Sequence, residues 1–357
     1  MTTAFRGKLL ALLCGCVAAG LLLFGVEGIF YALSRAEARR ENVVYNPPSR
    51  LYEFRLTVGY RPQNDAHVTA RKMINGQTIY NVAYTTDNHH RRVTPGQDDR
   101  PSGDALFFFG GSFAFGEGLN DNETLPYYVA MDAPAYRVYN YGFSGYGPQQ
   151  AVAQLRDDSL FGPEGKRQAI GIYVFIPHHI RRAIGSMRVV SEWGYHFPDY
   201  EEDGRGGVVL NQTFERGRPW RTWIYRLMAR EQVWRYFKVD WPLSISHGDI
   251  VHTAHILAAA QKAFEQRFHG GVFYVLMYPE EGHAEVKAFR TVPVFRAAGL
   301  RILDASKTVD LSQPGMTIRG DNHPTAEANR LLAGHIVKVL NLRAPGPPVS
   351  GGTALRP

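Results

Sequence analysis

The sequence predicts a three-layer α/β/α domain, in which helices cover both faces of a parallel sheet. Short apolar runs alternate with longer helical patterns, which is typical of parallel strands joined by crossover helices. The apolar runs show no polar alternation, as expected of strands that are buried on both faces. The predicted strands are residues 105–109, 137–141, 169–176, 272–277 and 300–303. The predicted helices are residues 124–131, 148–158, 249–268, 284–298 and 324–340.

Composition sets limits on the class of protein. The chain has 357 residues, of which 45% are hydrophobic and 20% charged, as in globular proteins. Its net charge of +7 is spread without a long basic run, so we expect no nucleic-acid partner. The two cysteines, Cys14 and Cys16, both lie in the first apolar stretch. This excludes a disulfide scaffold, a cysteine-ligated metal or iron–sulfur site, and a cysteine nucleophile in the rest of the chain.

The N-terminus is predicted to be a membrane anchor over residues 1–34. Leu9 to Val26 carry no charge, and apolar residues continue to Leu33, which is long enough to cross a bilayer. The alternative is a cleaved signal peptide, with Ala32-Leu33-Ser34 as a weak cleavage site. Basic residues flank both ends, so their distribution does not set the orientation. From the motifs below we expect a single-pass inner-membrane protein whose main domain faces the periplasm.

Changes in composition divide the remaining chain into segments. Residues 35–50 read as a linker, and residues 51–97 as a small β-rich prelude with a strand at 78–84. The main domain is predicted over residues 98–343. Residues 344–357, rich in Pro and Gly, are predicted to be disordered.

One segment, residues 182–247, interrupts the alternation between the third and fourth strands. It holds all five tryptophans of the chain: Trp193, Trp220, Trp223, Trp234 and Trp241. An insertion of this size at the carboxyl end of a strand is a candidate lid or substrate wall. The alternative is that the tryptophans form the insertion's own small core.

A glycine-rich turn after the first predicted strand carries the sharpest local signal. The strand runs into Gly110-Gly111-Ser112, where glycines permit a tight turn and place the serine at the carboxyl edge of the sheet. The glycine spacing excludes a dinucleotide-binding fingerprint, and the Walker lysine is absent. Ala114 occupies the position of the final glycine in the α/β-hydrolase nucleophile motif, so that motif is also excluded.

A second motif, Asp321-Asn322-His323-Pro324, precedes the last predicted helix. A serine hydroxyl becomes a good nucleophile when a base accepts its proton and a carboxylate orients that base. Asp321 and His323 could meet Ser112 across the carboxyl edge of the sheet. The combination predicts nucleophilic catalysis by a serine.

With these motifs the sequence resembles the SGNH (GDSL-type) hydrolase family over roughly residues 78–340. Gly110-Gly111-Ser112 is similar to the first block of the family, with Gly111 in place of its usual Asp. Residues 140–145, Asn-Tyr-Gly-Phe-Ser-Gly, are similar to the second block, and residues 321–324 to the last. The resemblance implies a flavodoxin-like three-layer fold.

The resemblance also implies roles for individual residues. Ser112 would be the nucleophile, His323 the base and Asp321 its partner. The amides of Ser112 and Gly145 would donate to the oxyanion. No metal or organic cofactor is expected.

The sequence departs from the family pattern at two places. The third strand is followed by His178, where the family has an Asn that donates to the oxyanion, and a histidine can donate one hydrogen bond in its place, so His178 is a candidate oxyanion residue. The acid also lies two residues before the histidine rather than three. This shorter spacing occurs in acetyltransferase-like branches of the family, which favours acyl transfer on envelope glycans.

The sequence therefore predicts an esterase or acyltransferase that acts on O-acylated polysaccharide, peptidoglycan or lipid through an acyl-serine. Trp193, Trp220 and Arg181 are candidate substrate contacts, with polysaccharide favoured over free lipid. Two alternatives stay open: a non-catalytic glycan-binding or assembly protein with a degraded site, and a lipase-like enzyme that uses the insertion as a lid.

Three histidines, His247, His252 and His255, could share one helical face, but no third ligand or acidic partner lies at metal spacing. An ordinary helix surface is therefore the expected interpretation.

Overall fold

The N-terminal part of the chain is a long helix followed by antiparallel strands. The computed structural model describes residues 3–37, 41–48, 50–97, 103–161, 168–279 and 285–342, so the predicted tail at 344–357 lies outside the described residues. The first elements are α1 (Thr3–Glu37), β1 (Glu41–Asn46), β2 (Tyr52–Arg55), β3 (Gly59–Pro62), β4 (His67–Ile74) and β5 (Gln77–Thr85). Strands β1, β4 and β5 form one antiparallel sheet, and β2 pairs with β3.

Helix α1 contains a segment, Leu10–Arg35, that is long and apolar enough to cross a membrane, with a mean hydropathy of 2.2. None of its most apolar window is buried against the rest of the protein. By length and composition alone, a signal sequence would have the same properties.

Five parallel strands form the central sheet. The strands after residue 100 are β6 (Asp104–Gly110), β7 (Tyr136–Asn140), β8 (Ala169–Phe175), β9 (Pro198–Glu202), β10 (Val208–Thr213), β11 (Val272–Met277) and β12 (Arg301–Asp304). The sheet order is β7-β6-β8-β11-β12, and every pairing in it is parallel. Counted within this sheet the order is 2-1-3-4-5, which is that of flavodoxin-like folds.

Helices cover both faces of this sheet. The helices after residue 100 are α2 (Ser112–Phe115), α3 (Leu125–Asp132), α4 (Pro148–Leu155), α5 (His178–Ile184), α6 (Met187–Glu192), α7 (Phe214–Gly217), α8 (Pro219–Met228), α9 (Gln232–Tyr236), α10 (His247–Arg267), α11 (Ala288–Ala297) and α12 (Ala326–Val339), of which α6–α9 belong to the insertion. Phe107 and Phe109 pack towards α4, α10 and α11, whereas Leu106 and Phe108 pack towards α3 and α12. This confirms the predicted three-layer α/β/α architecture.

The start of the last helix differs from the prediction. Pro324 does not begin the helix, because it pairs in an isolated bridge with Thr317. The hydroxyl of Thr325 accepts a hydrogen bond from the Ala328 amide at 3.3 Å. Thr325 therefore caps the helix, and α12 begins at Ala326. The bridge holds the preceding Asp321–His323 loop closed at its base.

The insertion contains β9, β10 and short helices, and it has a small core of its own. That core consists of Met187, Val189, Val190, Phe197, Phe214 and Tyr225. Of the five tryptophans only Trp193 packs against it, while Trp220, Trp223 and Trp241 are exposed. The tryptophans are therefore not what fills the core of the insertion.

Arg92 joins the prelude to the loop that follows α2. Its side chain is fully buried, and its guanidinium donates to the carbonyls of Phe115, Gly116 and Leu119 at 2.6–2.8 Å. It also forms an ion pair with Asp121 at 3.0 Å. One buried cation thereby satisfies several backbone acceptors that have no strand or helix partner.

We predict that Arg92→Ala lowers the free energy of unfolding by about 3–5 kcal/mol, because it leaves buried acceptors and Asp121 without their cation. Urea unfolding followed by circular dichroism would measure this. Arg71→Ala, at an exposed position on β4, is the matched control and should change stability by less than about 0.5 kcal/mol. Equal stability of the two variants would contradict the assigned role of Arg92.

Candidate active site

Ser112 lies at the start of α2, directly after the central strand β6. Gly110 has φ 139°, and a Cβ on it would lie 2.8 Å from the Val174 carbonyl oxygen. A Cβ on Gly111 would overlap Arg182 Nη1 and lie 2.9 Å from His179 Nε2. The turn therefore requires glycine at 110, while glycine at 111 leaves room for Arg182 and His179, and the turn places Ser112 at the carboxyl edge of the sheet.

The loop before α12 holds Asp321 beside His323. The Ile318 amide donates to the His323 carbonyl at 2.7 Å, and Asn322 adopts a left-handed conformation with φ 71°. This tight loop brings the Asp321 carboxylate against the His323 ring, where Nδ1 donates to Oδ1. The Asp321 side chain is fully buried. An imidazole oriented in this way presents Nε2 as its free nitrogen.

Lys72 is a third member of this cluster that the sequence analysis does not identify. It comes from β4, and its Nζ lies 2.5 Å from Asp321 Oδ2 and 2.5 Å from Glu41 Oε1. Burial alone would raise the pKa of Asp321, but hydrogen bonds from His323 and Lys72 lower it to about 2. Asp321 is therefore held as a carboxylate. The 249 positions between Lys72 and Asp321 carry no local signal for this contact.

Glu117 faces the other side of the His323 ring. Its Oε2 lies 3.9 Å from His323 Nε2 and accepts a hydrogen bond from Ser144 Oγ at 2.6 Å. Burial would lower the pKa of His323, but the hydrogen bond to Asp321 and the charge of Glu117 outweigh it and raise that pKa. Glu117 follows Ser112 closely in the sequence, so the motif itself could have indicated it.

A cavity of about 270 Å³ brings Ser112, Asp321 and His323 together. Its lining residues are Ser112, Phe113, Ile176, Pro177, His178, Arg182, Pro279, Asp321, Asn322 and His323. Among the described residues, the Ser112 hydroxyl has no hydrogen-bond partner. The catalytic trio expected from the sequence therefore shares one pocket with His178.

The arginine in this cavity is Arg182 rather than Arg181. Arg181 forms ion pairs with Glu285 at 2.7 Å and Asp240 at 3.1 Å, and it lines an adjoining cavity of about 520 Å³. Arg182 donates to the Tyr146 carbonyl at 2.6 Å and forms no ion pair with any described residue. Burial lowers the pKa of Arg182. An arginine nevertheless stays protonated in proteins, so a positive charge lies beside the serine turn.

Two consecutive histidines have different surroundings. His178 is exposed at the mouth of the cavity. Desolvation by the surrounding protein, and then the charges of Arg182 and Arg181, lower its pKa. His179 is fully buried, and its Nδ1 hydrogen-bonds the Tyr173 hydroxyl at 2.8 Å. Its Nε2 has no hydrogen-bond partner among the described residues. Burial and Arg182 lower the pKa of His179 strongly, so its ring is neutral.

Gly145 lies beside the cavity rather than in its lining. It has φ 82°, and a Cβ there would collide with the Tyr60 hydroxyl. Tyr60 donates to the Ser144 carbonyl at 2.7 Å, and Trp193 Nε1 donates to the Gly145 carbonyl at 3.3 Å. Within the described part of the chain, the amides of Ser112 and Gly145 have no acceptor.

The remaining candidate residues lie farther from Ser112. Trp193 lines the adjoining cavity together with His178 and Arg182. Trp220 lines neither cavity and lies exposed on α8. Glu202 contacts Nδ1 of His252 at 2.9 Å and of His255 at 2.7 Å, an acidic partner that the sequence did not indicate. In the described ranges, no group of three side chains has the arrangement of a metal site.

No protein-family model and no curated protein matches this sequence. Similar solved structures include a lipolytic protein of the G-D-S-L family from Veillonella parvula, at 11% identity and a TM-score of 0.39, covering 66% of this chain and 98% of that one. A putative lipolytic protein of the same family from Desulfitobacterium hafniense has 12% identity and a TM-score of 0.34, with coverage of 66% and 98%. An acetyl xylan esterase from Butyrivibrio proteoclasticus has 8% identity and a TM-score of 0.39, with coverage of 79% and 72%.

At these identities and TM-scores, the likeness assigns no activity to this chain. The strand order 2-1-3-4-5, the serine turn after the first of these strands and the Asp-x-His loop before the last helix are observed in the chain itself. This is the flavodoxin-like three-layer α/β/α fold that the sequence resemblance implied, and the strand order confirms it.

We predict opposite shifts of the pH–rate profile when the two charges around His323 are removed. His323 must be neutral to accept a proton, so we expect the rate of ester hydrolysis to fall as the pH drops through the raised pKa of His323. Glu117→Gln removes a charge that raises this pKa and should move the acid limb to lower pH. Lys72→Met removes a charge that lowers it and should move the acid limb to higher pH.

Hydrolysis of 4-nitrophenyl acetate across a pH series would measure both shifts. Glu201→Gln, which removes an exposed carboxylate on β9, is the control and should leave the profile unchanged. Shifts of the same sign in the Glu117 and Lys72 variants would contradict the proposed role of His323 as the titrating base.

Proposed function

We propose that the protein is a serine esterase or acyl-transfer enzyme that works through an acyl-serine. One observation carries the proposal: Ser112, at the carboxyl edge of the sheet, shares a cavity with the hydrogen-bonded pair Asp321 and His323. A hydroxyl, an imidazole and a buried carboxylate are the groups that serine acyl transfer requires.

In the proposed reaction, Ser112 Oγ attacks the acyl carbonyl while His323 Nε2 accepts the hydroxyl proton. The Asp321 carboxylate stabilises the imidazolium that forms. Collapse of the tetrahedral intermediate expels the alcohol, which takes the proton from His323 and leaves an acyl group on Ser112. Water completes hydrolysis by attacking this ester, or the hydroxyl of a second molecule completes acyl transfer.

We assign oxyanion stabilisation to the amides of Ser112 and Gly145 together with the charge of Arg182. The support is that both amides lack an acceptor among the described residues, and that Arg182 lines the cavity without an ion-pair partner. His178 lies where the family has its Asn donor, but at the exposed mouth of the cavity. Arg182 is thus the stronger candidate to replace that donor.

We propose O-acylated envelope glycans or lipids as the substrate class. The support is the long apolar helix α1, which would anchor the enzyme by a single pass in the inner membrane with its catalytic part facing the periplasm. Trp193 borders the adjoining cavity, where its ring could stack on a sugar or an acyl chain. The two-residue Asp-x-His spacing favours acyl transfer over hydrolysis.

A second candidate function is non-catalytic binding of acylated glycans. The observation that favours it is that Ser112 Oγ makes no hydrogen bond to His323, whose Nε2 instead has Glu117 at 3.9 Å. Catalytic hydrogen bonds often tighten only when substrate binds, so the esterase proposal is compatible with this geometry.

We predict that a fluorophosphonate probe labels the full-length protein at Ser112, because His323 activates this hydroxyl. Ser112→Ala should abolish labelling, and His323→Ala should slow it by roughly 10²- to 10⁴-fold. Ser144→Ala, at a serine that bonds Glu117, is the control and should still label. A folded protein that resists labelling would support the binding function instead. Peptide mass spectrometry would locate the adduct.

We predict that Arg182→Met lowers kcat by roughly 10²- to 10³-fold with little change in KM, since an oxyanion donor acts mainly in the transition state. His178→Ala should lower kcat less, and His178→Asn should retain more activity than His178→Ala. Steady-state kinetics on 4-nitrophenyl acetate would compare them, with Arg71→Met as an exposed control. Full turnover in the Arg182 variant would show that the oxyanion is stabilised by other groups.

A further inference from the structure

One face of α8 in the insertion is apolar, yet it is turned to solvent. Trp220, Trp223, Ile224 and Leu227 are 78%, 59%, 46% and 46% exposed. Their spacing of three and four residues places them on a single helix face, while Thr222 and Tyr225 on the opposite face are buried. The rings of Trp220 and Trp223 lie edge to face at 6.4 Å. An exposed apolar stripe of this kind is typical of a surface that binds another protein or a membrane.

Helix α1 is joined to the element that follows α8. The Glu27 carboxylate accepts the backbone amides of Gln232 at 2.6 Å and Val233 at 3.3 Å, at the start of α9. One turn later, the Phe30 ring packs on Tyr236 and Phe237 at 5.2 and 5.4 Å. The C-terminal part of the candidate span therefore packs against α9, which only three residues separate from α8.

The charges of this region suit an anionic lipid surface. Residues 218–238 contain six basic residues and one acidic residue. Within the described part of the chain, Arg230, Arg235 and Lys238 form no ion pair. A helix with tryptophan and aliphatic residues on one face and arginines around it is typical of helices that lie in the membrane interface.

We propose that the Trp220–Leu227 face of α8 rests on the bilayer that α1 crosses, with both tryptophans at the boundary between headgroups and acyl chains. The occupant is the lipid surface, because α8 is separated by only three residues from α9, which contacts the span, and because the region is rich in basic residues. This proposal rests on the membrane-anchor part of the proposed function and is independent of the acyl-transfer chemistry.

The same placement gives the catalytic cavity a direction. His178 and Arg182 line both the Ser112 cavity and the adjoining cavity, which continues to Lys238, Val239 and Leu243 just after α9. The adjoining cavity thus leads from the serine towards the membrane-facing part of the insertion. A substrate held at the bilayer surface would have a route to Ser112.

Quenching of tryptophan fluorescence by brominated lipid tests the proposal. The full-length protein is reconstituted in phosphatidylethanolamine–phosphatidylglycerol vesicles that contain brominated phosphatidylcholine. All tryptophans lie between residues 193 and 241 and none in α1, so lipid quenching reports only on the insertion. We expect quenching in the unmodified protein and loss of most of it in the Trp220→Phe/Trp223→Phe variant. The matched control, Trp193→Phe, should keep it, because Trp193 is bonded to Gly145.

Unquenched emission in the unmodified protein, or equal quenching in the double variant, would overturn the proposal. Emission that responds to soluble acetylated oligosaccharides but not to brominated lipid would also overturn it and make α8 a glycan platform. Fluorophosphonate labelling of the double variant separates the two proposals, because it reports on Ser112 whatever the position of α8.

Discussion

Buried cations from the N-terminal prelude hold both loops that carry the candidate catalytic residues. Arg92 binds the carbonyls of the segment after Ser112, and Lys72 binds the carboxylate that orients His323. Removing a charge from water is costly unless it is paired and hydrogen-bonded, and here each cation meets that condition only when its loop is in place. The geometry of the cavity thus depends on contacts with strands outside the parallel sheet.

The antiparallel β1-β4-β5 sheet contributes charged side chains to the candidate site. The β1-β4-β5 sheet adds no strand to the central sheet. Lys72 of β4 and Glu41 of β1, a strand that lies in the segment predicted as a linker, complete the charge chain that ends at His323. The imidazole on one side and Lys72 on the other donate hydrogen bonds to the Asp321 carboxylate. These bonds lower the pKa of Asp321 and keep it ionised although it is buried. The parallel sheet places Ser112 at its carboxyl edge, and the β1-β4-β5 sheet supplies the lysine that helps to keep Asp321 ionised.

The sequence allowed prediction of those parts that depend on local chemistry. Strands buried on both faces must be continuously apolar, and a turn such as Gly110-Gly111-Ser112 requires glycine, so both could be recognised. The Lys72–Asp321 contact could not, because it forms only through tertiary packing. Arg181 and Arg182 show a finer limit: neighbours on a helix point about 100° apart, and sequence alone does not fix the rotation of the seven-residue α5. The tryptophan content of the insertion was evident, but the faces on which those rings lie were not.

The space around Gly111 has a consequence for substitutions at this position. A Cβ at position 111 would overlap Arg182 and lie 2.9 Å from His179, so a side chain there would require the Arg182 guanidinium to move. A carboxylate restored there would displace the guanidinium or neutralise it, and either change would remove the free charge from the cavity. The side chain allowed at 111 and the position of the Arg182 guanidinium are therefore linked, so the effects of substitutions at the two positions should not be additive.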